Sequence, residues 1–230
     1  MKRGNFTKDI LITPVRISGR ILRKFFRVAE ALSKFRFLTK SEQEILLNVL
    51  THSEDGAPPE LKIKIYQVLK RLIKRLRHPF GMIIVLGWKK EWEKRYAALP
   101  DATQNIFENR SINIAQLSEE KLLEELSKTA DFDGAILINS QGEIVASGIY
   151  LENMKPSSVA DRLYPARAQD LSTSFGFKKK VHARHLAAIS ASYWLKGSTV
   201  FVVSEEDRSI RIFEGGRIIW STIKKEIHKR

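Results

Sequence analysis

The sequence predicts an α/β domain with a mixed central sheet flanked by helices, preceded by an all-helical N-terminal unit. From Pro79 onward, short apolar runs alternate with stretches of helical spacing, which is typical of interleaved strands and helices. The last three apolar runs are separated by short turns and predict an antiparallel meander. We therefore divide the chain into a basic helical region (1–78), a domain (79–222) and a basic tail (223–230).

The N-terminal unit contains three predicted helices over residues 16–78. Apolar residues over 16–37 recur at alternating intervals of four and three, which predicts the first helix. Ser41 begins a Ser-Glu-Gln-Glu capping box, which predicts a second helix as far as Leu50. The pair at 58–59 is Pro-Pro and predicts the start of a third helix that runs to about residue 77.

The domain that follows alternates strands with helices. The expected elements are, in order, a strand at Gly81–Leu86, a helix at Trp88–Ala98, a helix capped by Ser118, a hairpin of Ala135–Ile138 with Glu143–Ile149, a helix at Arg184–Leu195 and the strands STVFVVSEE, SIRIFEG and RIIWS.

The net charge of +14 is concentrated in the N-terminal third. Residues 1–80 hold 18 Lys and Arg against 7 Asp and Glu, a net +11, whereas the remainder holds 22 against 19, a net +3. This charge keeps open a contact with nucleic acid or an anionic membrane through residues 16–78, which would weaken steeply with salt. No aromatic stacking pattern or DNA-binding motif accompanies the charge, so a solvated basic face is the favoured interpretation.

Several kinds of site are excluded or disfavoured. The chain has no cysteine, which excludes disulfides, thiolate catalysis and zinc sites built on sulfur. It has no phosphate loop of the G-x-x-x-x-G-K-[ST] type and no dinucleotide fingerprint. His182 and His185 are spaced to share a helical face as metal ligands, but no carboxylate or cysteine lies in local register. One histidine at a helix start and one in a polar cleft is the favoured interpretation.

The chain is expected to be cytoplasmic. The N-terminus lacks an apolar segment of signal-peptide length. The longest apolar run, Phe80–Gly87, is far shorter than the roughly 20 residues of a transmembrane helix.

One motif that could perform chemistry lies at the entrance of the predicted hairpin. Asp133 is followed by Gly134 and Ala135, and a carboxylate beside a bare backbone suits hydroxyl activation or metal binding close to a ligand. The plainer interpretation is an acid at a strand end, followed by small residues that allow close packing.

Two further motifs lie at other element ends. Arg184 and His185 begin a helix, where cationic side chains and free N–H groups together favour a phosphate. Ser204, Glu205 and Glu206 follow an apolar strand, where carboxylates can hold a divalent ion. Taken singly, a capped amphipathic helix with a polar first turn is the more common explanation of the first motif. A hairpin turn with solvated charges is the plainer interpretation of the second.

Taken in order, these pieces resemble the diadenylate cyclase domain over roughly residues 80–222. The matching segments are GMIIVLG, DFDGAILINSQGEIVASGIYL, ARHLAAIS and STVFVVSEEDRSIRIFEGGRI. The resemblance implies a nucleotidyltransferase that condenses two ATP molecules into cyclic di-AMP and releases two pyrophosphates. It also implies a homo-oligomer in which two domains meet face to face, with Mg²⁺ or Mn²⁺ as cofactor.

The resemblance also assigns roles to individual residues. Asp133 would lie near the attacking 3′-hydroxyl and the metal ion, with Gly134 and Ala135 admitting the ribose. The backbone of Leu151, at the end of the return strand, would recognise adenine. The triphosphate would be held by Arg184 and His185, and the phosphate and metal end would be completed by Ser204, Glu205 and Glu206, with Glu206 as a metal ligand.

The segment at 182–186, which contains Arg184 and His185 and is called the phosphate grip below, departs from the family pattern. Family members commonly have G-T-R-H-R where this chain has His-Ala-Arg-His-Leu at 182–186, so the threonine hydroxyl and the second arginine are missing. The departure keeps open an alternative, a catalytically weakened relative that binds ATP or cyclic di-AMP without synthesis. The lysines at 178–180, just upstream, are expected to supply the missing positive charge.

The N-terminal helices resemble those of the soluble sporulation-type members of the family, in which a helical pair controls assembly. We therefore expect residues 1–78 to set the oligomeric state. Helices that favour another packing of the domains would suppress turnover, and a fragment that starts near Arg77 would escape this control.

Overall fold

Seven strands form one mixed sheet in the computed structural model of the protein. It describes residues 56–98, 102–165 and 170–223, together with the single residues 26, 42, 43, 46 and 226. The strands are β1 (Met82–Trp88), β2 (Tyr96–Ala98), β3 (Ala135–Asn139), β4 (Ile144–Leu151), β5 (Thr199–Val203), β6 (Ile210–Glu214) and β7 (Arg217–Ser221). Their order across the sheet is β2-β4-β3-β1-β5-β6-β7, and only the β1–β3 pair is parallel.

Helices flank this sheet. They are α1 (Pro59–Arg75), α2 (Glu119–Ser127), α3 (Pro156–Leu163), α4 (Leu171–Ser174) and α5 (Ala183–Trp194), with 3₁₀ turns at Lys90–Arg95 and Ala102–Gln104. The arrangement confirms the predicted α/β fold class. Of the first two predicted N-terminal helices, only Phe26, Glu42, Gln43 and Leu46 are described, each in helical conformation, and the rest lies outside the described residues. The all-helical unit as a whole stays a prediction.

Local signals placed most of the other elements correctly. The Ser118 hydroxyl accepts a hydrogen bond from the Lys121 N–H and caps α2, as predicted. The hairpin of β3 and β4 and the meander of β5, β6 and β7 are also confirmed.

The predicted helix at Trp88–Ala98 is wrong. Trp88 ends β1, a 3₁₀ turn follows, and Tyr96 begins β2, which pairs with β4. The Trp92 and Tyr96 rings both pack edge-on against Trp88, with centroids 5.6 and 5.3 Å away. A continuous helix cannot return both rings to Trp88, so this aromatic contact and the β4 edge override the local pattern.

The core lies on both faces of the sheet, so β1 is buried on both sides. Ile84 and Leu86 face one cluster, which includes the apolar side of α1 and α2. Ile83 and Val85 face the other cluster, which includes α3 and α5. Alternate side chains of a strand point to opposite faces, so a continuously apolar β1 is what a central strand requires.

Helix α1 is part of the same core as the sheet. It packs against α2, β5 and β6, with its leucines at 61, 69 and 72 buried. The Lys62 ammonium lies 2.7 Å from Glu214 Oε1 in β6, and both side chains are almost fully buried. Glu214 Oε1 also accepts a hydrogen bond from the Thr199 hydroxyl at 2.6 Å. The predicted domain start at residue 79 therefore falls between a helix and a strand that share a core.

Arg208 fastens the end of α1 to the turn between β5 and β6. Its guanidinium donates hydrogen bonds to the carbonyls of Ile73, Leu76 and Arg77, at the C-terminus of the helix. These carbonyls have no partner within the helix, so a cationic donor satisfies them. A fragment that starts near Arg77 removes both this contact and part of the core.

Most cationic side chains of α1 have partners inside the protein. Lys70 pairs with Glu42 at 2.6 Å, and Arg71 pairs with Glu119 and Glu120 at 3.1 and 2.7 Å. Lys64 donates to the Leu117 carbonyl at 2.5 Å. The positive charge of this helix is therefore partly neutralised, and a contact with nucleic acid or membrane stays a less favoured prediction. No helix in the described part of the chain combines the length and the apolar composition that a bilayer crossing requires.

Lys62→Met is expected to lower the free energy of unfolding by about 3–5 kcal/mol, because it removes the Lys62 ammonium from the buried Glu214 carboxylate. Adding Glu214→Leu should recover most of this loss. Urea unfolding checks both variants. Lys74→Met, on the exposed face of the same helix, is the control and should change stability by less than about 0.5 kcal/mol. A cost for Lys62→Met no larger than that of the control would contradict the role of the ion pair.

Candidate active site

The three sequence motifs meet at one edge of the sheet because of how β1 is paired. β3 runs parallel to β1, with Ile83 opposite Ala135, so both strands begin at this edge. β5 runs antiparallel to β1, with Met82 opposite Val203, so β5 ends at the same edge. β4 reaches it as well, because Ile149 is paired with Ala135. Residues far apart in the sequence therefore become neighbours.

A cavity of about 480 Å³ opens at this edge. Its lining consists of Ile83, Asp133, Gly134, Ala135, Ile149, Tyr150, Leu151, His182, Ala183, Arg184 and Ala187. Its volume lies within the range of about 300–1,000 Å³ that is typical of small-molecule sites. The structure thus brings together Asp133, Gly134, Ala135, Leu151 and Arg184, five of the predicted site residues.

Gly134 has a backbone reason to be glycine. Its φ is +90°, and a Cβ at this position would lie 2.7 Å from both the backbone N and O of Ile149. The backbone at Gly134 thus approaches the backbone of β4 so closely that only glycine fits. Close packing of the backbone, the plainer interpretation of the motif, accounts for the residue. Access for the ribose at Gly134 stays a prediction.

The Asp133 carboxylate stands at the cavity with its side chain exposed. No hydrogen bond or ion pair from another described residue holds this carboxylate. It is therefore available to accept a proton or to bind a cation carried by a ligand.

One ion pair and one histidine–carboxylate contact connect the start of α5 with the turn after β5. The Arg184 guanidinium donates to Glu205 Oε2 at 3.3 Å, and His182 Nε2 lies 2.9 Å from Glu206 Oε1. Both carboxylates are more than half exposed. No side chain caps α5 at His182, so the helix presents its first N–H groups at the same place. The predicted phosphate grip and the predicted carboxylates are therefore in direct contact.

Ser204 lies behind this turn and does not line the cavity. It is buried, and its backbone N–H donates to the Ser209 carbonyl at 2.9 Å. Its own carbonyl accepts a hydrogen bond from the Arg208 N–H at 3.0 Å. The residue therefore closes the turn that presents Glu205 and Glu206.

The structure does not bring His185 to the cavity. Its side chain is buried, with Nε2 2.9 Å from Arg211 Nη1 and its ring packed against Phe177. Arg211 in turn donates to both carboxylate oxygens of Glu226, at 2.7 and 3.0 Å. Burial and the adjacent Arg211 guanidinium lower the pKa of His185 to about 4. A neutral imidazole that accepts from Arg211 supports α5 from behind, and contact of His185 with a triphosphate stays a prediction.

Comparison with known proteins identifies the family. Residues 70–218 match the protein-family model described as DAC, DisA bacterial checkpoint controller nucleotide-binding. The chain belongs to this family. The match covers more than half of the chain and confirms the family that its motifs resemble. A search of curated proteins finds no match.

Two solved structures are similar to this chain at low identity. One is a cysteine double mutant of DacA from Staphylococcus aureus, with 18% identity, 82% of this chain and 92% of that chain covered, and a TM-score of 0.42. The other is a hypothetical membrane spanning protein from Bacillus cereus, with 15% identity, 86% and 87% covered, and a TM-score of 0.45. The assignment to the DAC family stands on the family model alone.

The departure from the DAC family's phosphate grip has a structural counterpart. Leu186, at the position of the missing second arginine, is half-buried and packs against the core beneath α5. Ala183 lines the cavity without a hydroxyl. The lysines at 178–180 are exposed and do not line the cavity. Arg184 is thus the one arginine among the cavity-lining residues.

Sequence reasoning missed four residues at or behind the site. Tyr150 lines the cavity and is 49% exposed. Its position in a strand of apolar residues gave no indication that its ring would be accessible. Arg211 is a charged residue inside an apolar strand, and such a residue indicates a buried arginine with an acidic or polar partner. Glu226 lies in the segment that the sequence analysis assigned to a basic tail, and Gly81 lies one residue before β1. No local pattern identifies either of them as a site residue.

His185 gives the protein a specific acid sensitivity. Because the folded-state pKa is about 4 and the unfolded value is 6.5, the stability that neutral His185 provides is complete above pH 6.5. It declines as pH falls towards 4, by about 3 kcal/mol in all. The variant His185→Gln should lose less stability across this window, since its amide oxygen accepts from Arg211 without titrating. Unfolding free energies at several pH values check this, and parallel pH profiles for both proteins would refute it.

Proposed function

We propose that this protein is a diadenylate cyclase that condenses two ATP molecules into cyclic di-AMP and two pyrophosphates. The observation that supports it best is the joint presence of Asp133 and Arg184 in one cavity. Phosphoryl transfer needs both a proton acceptor for the attacking hydroxyl and a cation for the phosphates, and these two residues supply them. Membership of the DAC family supplies the reaction class.

The reaction joins two nucleotides through two equivalent bonds. The 3′-hydroxyl oxygen of each ATP attacks the α-phosphorus of the other, and the bond from that phosphorus to the bridging oxygen of the β-phosphate breaks. Asp133 accepts the proton of the hydroxyl, and pyrophosphate leaves with the bridging oxygen. One cavity holds one nucleotide, so the active species is a homo-oligomer in which two domains face each other.

The remaining residues divide along the nucleotide. Leu151 and Tyr150, at the end of β4, bind the adenine end. Arg184 and the free N–H groups of α5 bind the triphosphate, because both favour anions. Glu205 keeps the Arg184 guanidinium paired, and Glu206 keeps His182 in contact, until a nucleotide arrives. Ser204 stabilises the loop that carries Glu205 and Glu206. His185 and Arg211 hold the first helical turn of α5 in place.

The donor set fits Mg²⁺ or Mn²⁺ delivered with ATP. Within the described ranges, no three or more His, Cys, Asp or Glu residues form a group that could hold a metal ion. Magnesium commonly binds one or two carboxylates together with substrate phosphates and water. Asp133 would hold the ion, with Glu206 as the second carboxylate. A bound ion would supply positive charge that offsets the charge of the phosphates.

A second candidate is a DAC relative that binds ATP or cyclic di-AMP without synthesis. The half-buried Leu186 favours it, since the first turn of α5 offers one guanidinium instead of two. This candidate predicts nucleotide binding without release of pyrophosphate.

Asp133→Asn is expected to lower the rate of cyclic di-AMP formation by about 10²–10⁴-fold, because the amide cannot accept the hydroxyl proton. Purified protein is incubated with ATP and either Mg²⁺ or Mn²⁺, and the product is followed by chromatography and mass. Asp131→Asn is the matched control, since Asp131 lies two residues away, outside the cavity, and pairs with His78 at 3.1 Å. The control should retain activity.

The outcomes of this experiment separate the candidates. Product from the wild type and the control but not from Asp133→Asn supports the cyclase. ATP binding without product from any sample favours the second candidate. Absence of both binding and product would refute both.

We also propose that the residues before α1 control assembly, as their resemblance to the helices of sporulation-type members implies. A fragment of residues 56–230 keeps α1, its ion pair with β6 and its cap from Arg208. Its specific activity is expected to exceed that of the full chain, with a change in oligomer size by light scattering. Urea unfolding verifies that the fragment is folded. Equal specific activities at all protein concentrations would contradict this role.

A further inference from the structure

Gly81 lies against the one arginine of the cavity lining. It immediately precedes β1, at the edge where the cavity opens. A Cβ built at Gly81 would lie 1.8 Å from Arg184 Nη1, 2.3 Å from Cζ and 2.9 Å from Nε. The three atoms nearest to that position all belong to the Arg184 side chain. The guanidinium thus occupies the space that any side chain at residue 81 would need.

The backbone itself does not require glycine at residue 81. Gly81 is absent from the glycines with positive φ, so an alanine can adopt its conformation. This distinguishes it from Gly134, where both φ and the approach of β4 exclude other residues. At Gly81 the atoms in the way are the end of a flexible side chain, which can move. An alanine here is tolerated by the fold and displaces the guanidinium.

The Arg184 guanidinium is held on a second side by Glu205, at 3.3 Å, and its side chain is 26% exposed. A guanidinium has five N–H donors in a fixed plane, so one carboxylate leaves several donors for a ligand. With the backbone of Gly81 on one side and Glu205 on another, the remaining donors have a defined position at the cavity.

We propose that Gly81 is a positioning residue that sets the location of the Arg184 guanidinium and thereby the affinity of the site for the phosphates of ATP. The inference rests on the proposed role of Arg184 in binding the triphosphate. It adds that Gly81, which is not among the predicted site residues, tunes this binding through steric contact with Arg184 alone. Gly81 itself is not expected to contact the nucleotide.

The test is a double-mutant cycle with Gly81→Ala, Arg184→Ala and the double variant in the full-length protein. Isothermal titration calorimetry without added Mg²⁺ or Mn²⁺ gives the Kd for ATP and for adenosine in the absence of turnover. Gly81→Ala is expected to weaken ATP binding about tenfold or more, the loss expected for a charge-assisted hydrogen bond. Adenosine binding should be unchanged, since it lacks phosphates, and the urea midpoint should match the wild type. Adding Gly81→Ala to Arg184→Ala should change nothing further.

Each departure from this pattern has a distinct meaning. If the two losses multiply in the double variant, or adenosine binding falls in parallel with ATP binding, Gly81 acts on the fold and the inference is overturned. If Arg184→Ala weakens ATP binding and Gly81→Ala does not, the inference fails while the proposed role of Arg184 survives. If Arg184→Ala leaves the Kd for ATP unchanged, the proposed phosphate grip fails and the inference fails with it.

Discussion

Strand β1 has a parallel neighbour on one side and an antiparallel neighbour on the other, and this pairing decides which parts of the chain can act together. It places the starts of β1 and β3 and the end of β5 at the same edge of the sheet. The acid of one motif, the cation of another and the carboxylates of a third are neighbours for this reason. A sheet with β5 parallel to β1 would carry Glu205 and Glu206 to the opposite edge.

Behind this edge, a buried polar network supports the helix that presents the cation. Glu226 accepts hydrogen bonds from Arg211, the Ser221 hydroxyl and the Lys178 N–H, so its charge is well satisfied despite full burial. Burial alone raises the pKa of Glu226, but the hydrogen bonds from Arg211 and Ser221 outweigh burial and lower it. Buried charges are stable when every member of such a network has its partners. The first turn of α5 is thus anchored through His185 to residues of β6 and the C-terminal segment.

The sequence predicted what local chemistry determines and missed what strand register determines. The cap at Ser118, the hairpin at β3 and β4 and the final meander each depend on a few adjacent residues. The segment from Trp88 to Ala98 has helical spacing. Its structure is decided instead by ring packing against Trp88 and by pairing of β2 with β4. The motifs at Asp133 and Arg184 were recognisable from residue type and from their resemblance to a family. The contact of Arg184 with Gly81 and the burial of His185 away from the cavity follow from packing between distant segments, which no local pattern encodes.

The close approach of Gly134 to β4 has a consequence for interpreting genetic variants. Every L-residue at this position must push β4 away or leave the left-handed region, whatever its polarity. An inactive variant at Gly134 therefore reports a displaced strand, and the activity lost with it says nothing about contact with a ligand. The neighbouring acid is the position at which a change of side chain reports on chemistry.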